Sequence, residues 1–222
     1  MTRDLIIYGA GTFGEAFLDI AHACGRNVVA FVDDAAGDGL CEVAGVPVIG
    51  EANVDKFSPD TVRFVSSIGD PQAREEAFQA MQFAGYRPDT LIHPGAQISP
   101  HTTVGEGSVI NTGTFVNRAS SLGRGVLMSA GSVVAHHTQI GDFALIALGV
   151  SIGGSVIIGD RVFFGIGSTV STNIGSIGDD VTVGAGAVVV NSVHAGQTMV
   201  GVPAAPLGNP IRAVENSSPE VA

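Results

Sequence analysis

Residues 92–175 read, in sixes, as IHPGAQ, ISPHTT, VGEGSV, INTGTF, VNRASS, LGRGVL, MSAGSV, VAHHTQ, IGDFAL, IALGVS, IGGSVI, IGDRVF, FGIGST and VSTNIG. The fourteen first places, from Ile92 to Val170, are all large and apolar, and the fourteen fifth places, from Ala96 to Ile174, are all small or β-branched. One extra residue near Gly175 resets the frame to Ile177, Val183 and Val189. Such a period fits neither the about 3.6 residues of an α-helix nor the alternation of a hairpin sheet. It fits a triangular solenoid, a parallel β-helix in which each six supplies one flat side and one corner. The first place points into the prism and the small fifth place fits near the corner. Glycine recurs at the second or fourth place, as in VGEGSV and VGAGAV, where it is expected to give the corners their φ > 0 backbone. Three sides make a coil of eighteen residues, so residues 92 to about 200 make roughly six coils. Prisms of this kind expose flat sheet and tend to associate side to side, in a cyclic oligomer.

The composition divides where the repeat begins. Residues 1–90 hold 10 of the 31 glycines but 14 of the 21 acids. Upstream, Leu5–Tyr8 reads as a buried parallel strand, followed by Gly9-Ala-Gly11-Thr12-Phe13-Gly14, a helix from about Phe13 to Cys24, and a strand over 28–32 that ends on Asp33 and Asp34. Strand, glycine turn, helix, strand and acid is the order of a dinucleotide-binding fingerprint: phosphate on a helix N-terminus, a carboxylate on a ribose or base. A nucleotide-sugar satisfies the same physics. Only one βαβαβ half fits before the sixes start, with strands at 46–50 and 62–69 and a helix at 71–84. Nucleotide or nucleotide-sugar binding, NAD(P) binding and a purely structural glycine turn all remain open on these residues. The acids have an equally plain alternative, since acids end many strands. The expected division is a Rossmann-like α/β domain over 1–90, the β-helix over 91–207 and a tail over 208–222.

With 45% hydrophobic and 14% charged residues the chain has ample core material. Its net charge of −11 repels phosphate backbones and argues against nucleic acid as a partner. A phosphorylated small molecule is still allowed, because backbone N–H groups hold phosphate without Lys or Arg. Cys24 and Cys41 form neither a disulfide framework nor a metal spacing and read as buried or half-buried thiols. No apolar run approaches the roughly 20 residues of a membrane span. A soluble, cytoplasmic protein is expected, without membrane or metal.

The joined set YGAGTFGEA, FVDD (31–34), GVPVIG (45–50), SIGDPQAR (67–74), IHPGAQISP (92–100) and the sixes ending in GVPA (201–204) resembles the bacterial sugar acetyltransferase family. That family includes sialic acid O-acetyltransferases and N-acetyltransferases of nucleotide-linked amino sugars, and the resemblance covers about residues 3–207. It implies a left-handed β-helix that holds acetyl-CoA as co-substrate, a small Rossmann-like domain for the sugar nucleotide, and a homotrimer with sites between subunits. It places His136 at the catalytic position in Val134-Ala-His136-His137-Thr-Gln-Ile-Gly141. It further implies acceptor contacts from Gly9, Gly11, Thr12, Phe13, Asp33, Asp34 and Ser129, and acetyl-CoA contacts from Gly154, Ile166 and Ala185. Three positions depart from the family pattern: His137 where an acid is frequent, Ser129 where an Asn is frequent, and Phe13 where a His is frequent.

The chemistry agrees with that placement. Acyl transfer from a thioester needs a base for the attacking amine or hydroxyl and donors for the developing oxyanion. Histidine suits the first role. Gly154, eighteen residues after His136, stacks one coil away and lets a pantetheine arm approach. Both cysteines lie outside the repeat, so no thiol nucleophile competes. The expected function is acetyl-CoA-dependent N- or O-acetylation of a nucleotide-activated sugar or sialic acid, with His136 as base and His137 beside it. A non-catalytic nucleotide-binding scaffold and an NAD-linked enzyme are the alternatives. Adjacent residues of an extended run point to opposite sides, so the two imidazoles are expected to diverge.

Overall fold

The computed structural model describes residues 3–34 and 42–208; Cys41 and the tail beyond 208 lie outside them. The first domain is a six-stranded sheet. Its elements in chain order are β1 (Arg3–Tyr8), α1 (Thr12–Ala23), β2 (Arg26–Val32), β3 (Glu42–Val43), β4 (Val46–Ile49), β5 (Val62–Ser66), α2 (Pro71–Phe83) and β6 (Arg87–Pro88), and the sheet order is β3-β4-β2-β1-β5-β6. All neighbours are parallel except the β3–β4 hairpin. Leu5, Ile6 and Ile7 are fully buried, as a strand covered on both faces demands. Asp70 caps α2, accepting from Ala73 N at 2.8 Å, and Pro71 opens the helix.

The second domain starts at Leu91–Ile92 and is a left-handed β-helix of three stacked sheets, parallel except where Ala205–Pro206 returns antiparallel along Thr198–Val200. Register advances eighteen residues per coil: Val109 pairs with Leu127, Leu127 with Leu145, and Leu145 with Phe163. At the extra residue the step becomes nineteen, Val156 pairing with Gly175. First places from Ile110 to Val189 are buried, as are fifth places from Ser108 to Ser168. Three buried fifth-place hydroxyls bond backbone carbonyls fifteen residues on: Ser108 to Gly123 O, Ser120 to Ala135 O and Thr138 to Gly153 O, at 2.8–2.9 Å, whereas the buried Ser168 Oγ has no such partner among the described residues. The opening coil departs from the pattern. Ile92 is 41% exposed, and Ile98 and Val104 are half-buried, because the first coil has a neighbour on one side only.

The glycine expectation needs correcting. Within the sixes left-handed φ falls at the fourth place, where Gly107, Gly125, Gly149 and Gly167 share it with Ala119, His137, Phe143, Ser155, Arg161 and Asn173, and at Gly175, where the extra residue enters. Second-place glycines have no positive φ and answer to stacking instead: a Cβ on Gly105, Gly123 or Gly141 would stand 2.4–2.6 Å from the backbone of the next coil or its aspartate.

The domains share one core. Phe17, Leu18 and Ile20 of α1 join Leu91, Val109, Leu127 and Leu145, the outward residues of the first sheet. Phe78 of α2 packs on Phe143, with ring centroids 5.3 Å apart. Buried Arg74 donates to Ile68 O, Gly69 O, Gly125 O and Phe143 O, bolting α2 to the prism. Burial holds its guanidinium down at about 9, still charged at neutral pH. Among the described residues no helix is long and apolar enough to cross a membrane.

Candidate active site

The glycine turn sits at the C-terminal ends of β1, β2 and β5. Gly9 has φ +109, and a Cβ on it would lie 2.6 Å from Ser67 Oγ. A Cβ on Gly14 would lie 2.2 Å from Gly9 O. Internal packing thus requires both. Gly11 is different: nothing stands within 4 Å of its missing Cβ, and as N-cap of α1 it offers no side-chain cap. The opening of α1, with Thr12, faces outward there, the geometry in which backbone N–H groups receive an anion. Asp33 Oδ2 accepts from Ala10 N at 2.8 Å, and Asp34 Oδ1 from Glu51 N at 2.6 Å. Both acids therefore brace the loops around the turn. Tyr8 donates to Glu51 Oε2 at 3.1 Å. Burial, with Glu51, Asp34 and Asp33 nearby, pushes its phenol up to about 12. Tyr8, Glu51, Ile68 and Ala73 line a cleft of about 260 Å³.

The three edges of the prism carry different chemistry. His136 and His137 occupy the third and fourth places of the edge between the second and third sheets, and both are exposed. The rings converge. Nδ1 of His136 lies 3.1 Å from Nδ1 of His137, with ring planes 81° apart. The expected divergence fails because His137 is not extended; its φ of 57° turns the side chain back toward its neighbour. One coil on, Gly154 lies under the His136 ring, where a Cβ would be 2.9 Å from Cε1 and 3.2 Å from Nδ1. The Gly154 N–H reaches Thr172 Oγ1 at 3.3 Å, long for such a bond. Thr172 carried no signal in the sequence except its place, eighteen residues past Gly154.

The remaining candidates lie elsewhere. Phe13 and Ser129 come together, at the contact of α1 with the first sheet beside Phe17 and Met128. Phe13 stacks edge-on against Phe17 at 4.9 Å. Alongside, Asp19, His93, Asn111 and Thr112 line a cleft of about 300 Å³. Ile166, 59% exposed, and the exposed Ala185 stand on the edge between the first and second sheets. Gly154 does not join them on that edge. The histidine edge also lies across the prism from the sheet that α1 covers. A single chain therefore does not gather the histidines, the glycine turn and the Ile166 edge into one cavity.

Comparison with known proteins follows the same lines. Residues 4–81 match the family described as the PglD N-terminal domain. The acetyltransferase domain of PglB from Neisseria gonorrhoeae, solved with acetyl coenzyme A, is 31% identical, with a TM-score of 0.86 over 93% of this chain and 100% of that one. A mutant perosamine N-acetyltransferase from Caulobacter crescentus, solved with CoA and GDP-perosamine, is 30% identical, with a TM-score of 0.88 over 93% and 97%. WeeI from Acinetobacter baumannii is 27% identical, with a TM-score of 0.84 over 93% and 100%. A search of curated protein sequences finds no match.

Proposed function

This chain belongs to the bacterial sugar N-acetyltransferase family of the hexapeptide-repeat superfamily, and from that premise we propose that it moves an acetyl group from acetyl-CoA to the amine of a nucleotide-activated amino sugar, with His136 as general base. The observation that carries the reading is the exposed His136–His137 pair lying over Gly154, on an edge with no side-chain ion pair among the described residues. His136 turns Nδ1 to His137, which leaves Nε2 as the atom open to an acceptor. There it removes a proton as the amine nitrogen attacks the thioester carbon. The C–S bond then breaks, and the CoA sulfur leaves as thiolate and takes up a proton. The Gly154 backbone, with no Cβ beneath the His136 ring, admits the thioester, and its N–H, weakly held by Thr172, is a donor for the oxyanion.

The nucleotide goes to the first domain. Gly11 and Thr12 at the mouth of α1 receive phosphate, Asp33 and Asp34 with Glu51 meet N–H and O–H donors of ribose and base, and Phe13 and Ser129 wall the sugar. Acidic residues around the turn fit a ligand rich in donors and fit a 2′-phosphate poorly. The distance between this domain and the histidine edge of the same chain supports a trimer. There the histidine edge of one subunit faces the Ile166 and Ala185 edge of another, and acetyl-CoA runs between them.

The test is CoASH release from acetyl-CoA with a panel of GDP-, UDP-, CMP- and dTDP-linked amino sugars and hydroxyl analogues, alongside light scattering. Turnover with one amino-sugar nucleotide at about three times the 22.5 kDa chain mass is the expected result. A monomer removes the shared site, and binding without CoASH release returns the protein to a scaffold.

A further inference from the structure

We propose that His137 is a positioning residue: its Nδ1 accepts the Nδ1–H of His136, and this holds Nε2 of His136 free of a proton. The inference rests on the acyl-transfer reading of this edge. It begins from two ring nitrogens 3.1 Å apart. Two lone pairs, or two N–H groups, do not face each other at that distance; one proton lies between them. For a neutral pair this allows two arrangements. In the first, His136 carries its proton on Nδ1 and donates it to His137, leaving the lone pair on Nε2. In the second, His137 donates, and His136 carries its proton on Nε2, where it is no base. Only the first arrangement can do the chemistry. It is also favoured as the reaction proceeds. When Nε2 takes the acceptor's proton, His136 becomes imidazolium, and its Nδ1–H becomes a charge-assisted donor to the neutral His137 ring.

The backbone makes this possible. At the stacked fourth places of the same edge stand His101, Ala119, Ser155 and Asn173. His137 holds φ 57°, a left-handed conformation that Asn, Asp and His tolerate best after glycine. That turn brings its Nδ1 onto its neighbour, with ring centroids 5.2 Å apart.

An imidazole partner behaves differently from a carboxylate. It can itself be protonated, and a doubly protonated His137 has no lone pair with which to accept. Acid therefore disables this pair at two sites. The ionisable groups facing the pair from its own edge are Arg118 on the preceding coil and His101 one coil further back; the following coils present Gly154, Ser155, Thr172 and Asn173, which do not titrate near neutrality.

The experiment compares wild type with His137→Gly, His137→Asn and His136→Ala, measuring kcat, KM, acetyl-CoA binding and the acid limb of kcat against pH. Glycine keeps the left-handed corner and removes the acceptor. Asparagine keeps the corner and offers an Oδ1 in place of Nδ1 that acid does not titrate. The glycine variant is expected to lose roughly tenfold in kcat at unchanged acetyl-CoA affinity, a smaller loss than removal of the base itself. The asparagine variant should recover most of it, and its acid limb should fall one proton less steeply than that of wild type. A glycine variant as active as wild type, or equal acid slopes in wild type and the asparagine variant, would overturn the positioning role. A fully active His136→Ala variant would overturn the acyl-transfer reading instead, and the two failures are distinguishable.

Discussion

Two edges of the prism are made by the same repeat and carry opposite side-chain chemistry. On the edge after the third sheet, Arg124 pairs with Asp142 at 2.8 Å, and Arg161 pairs with both Asp180 and Glu75 of α2. The aspartates also climb from coil to coil: Asp142 accepts from Arg124 N, Asp160 from Asp142 N, and Asp179 from Asp160 N, at 2.7–2.9 Å. Arg74 and Phe78 seal the lower coils against α2. On the edge after the second sheet the corresponding places hold Arg118, His136, Gly154 and Thr172, and among the described residues no ion pair links them. A repeat determines where side chains emerge; whether an edge holds the molecule together or faces a ligand depends on whether its groups already satisfy one another.

The largest effect that bears on this contrast should come from His136→Ala, with kcat falling by about 10²–10⁴-fold and acetyl-CoA binding retained. Equal activity in the variant would make the two edges alike. Gly154→Ala comes next. Its Cβ would stand 2.9 Å from the His136 ring and 3.1 Å from His136 O, and a displaced base should reduce kcat by about 10²-fold, with the fold kept as circular dichroism reads it.

The sealed edge should respond in stability instead. Arg74→Met strips four carbonyls of their donor. We expect about 2–3 kcal/mol of lost stability, read as a Tm lower by roughly 4–12 °C. Turnover measured well below the melt should remain. Loss of turnover at full stability would mean that α2 serves the site directly. The smallest effect concerns acid. Arg161 holds the Asp180 carboxyl below its ordinary 3.8. A depressed folded value stabilises above pH 3.8 and is lost as pH falls through it. Asp180 is half exposed, so Asp180→Asn should flatten the acid limb of a Tm–pH profile only slightly, with kcat untouched.

The repeat was legible because its fold is periodic. Ile110 and Val134 are both buried for a reason visible six residues away, and the skip at Gly175 shows as a single break in that period. The glycine turn was legible in outline, since Gly9 and Gly14 obey local sterics. Contacts across coils and domains were not. Nothing near Arg74 in the sequence says that Gly125 and Phe143 will supply its acceptors, because that meeting is made by the docking of α2. The convergence of His136 and His137 was misread for a subtler reason. Alternation along a strand governs side-chain direction only while the backbone is extended, and the left-handed place recurs at every corner, whether or not a glycine marks it. Ile166 and Gly154 read as one binding set, yet the triangular section puts them on different edges.

The constant register has a consequence for length. Each coil adds one interstrand spacing, about 4.8 Å, along the axis, so all three edges are graduated like a ruler. Removing or repeating one coil in phase, as between Val109 and Leu127, re-forms all strand pairs above and below. Such a change would lengthen or shorten the prism by one graduation while every other coil kept its register. The nineteen-residue step at Gly175 shows that a graduation also survives an added residue. Chain length, adjusted in whole coils, is thus a means of setting the height of the prism without changing its cross-section.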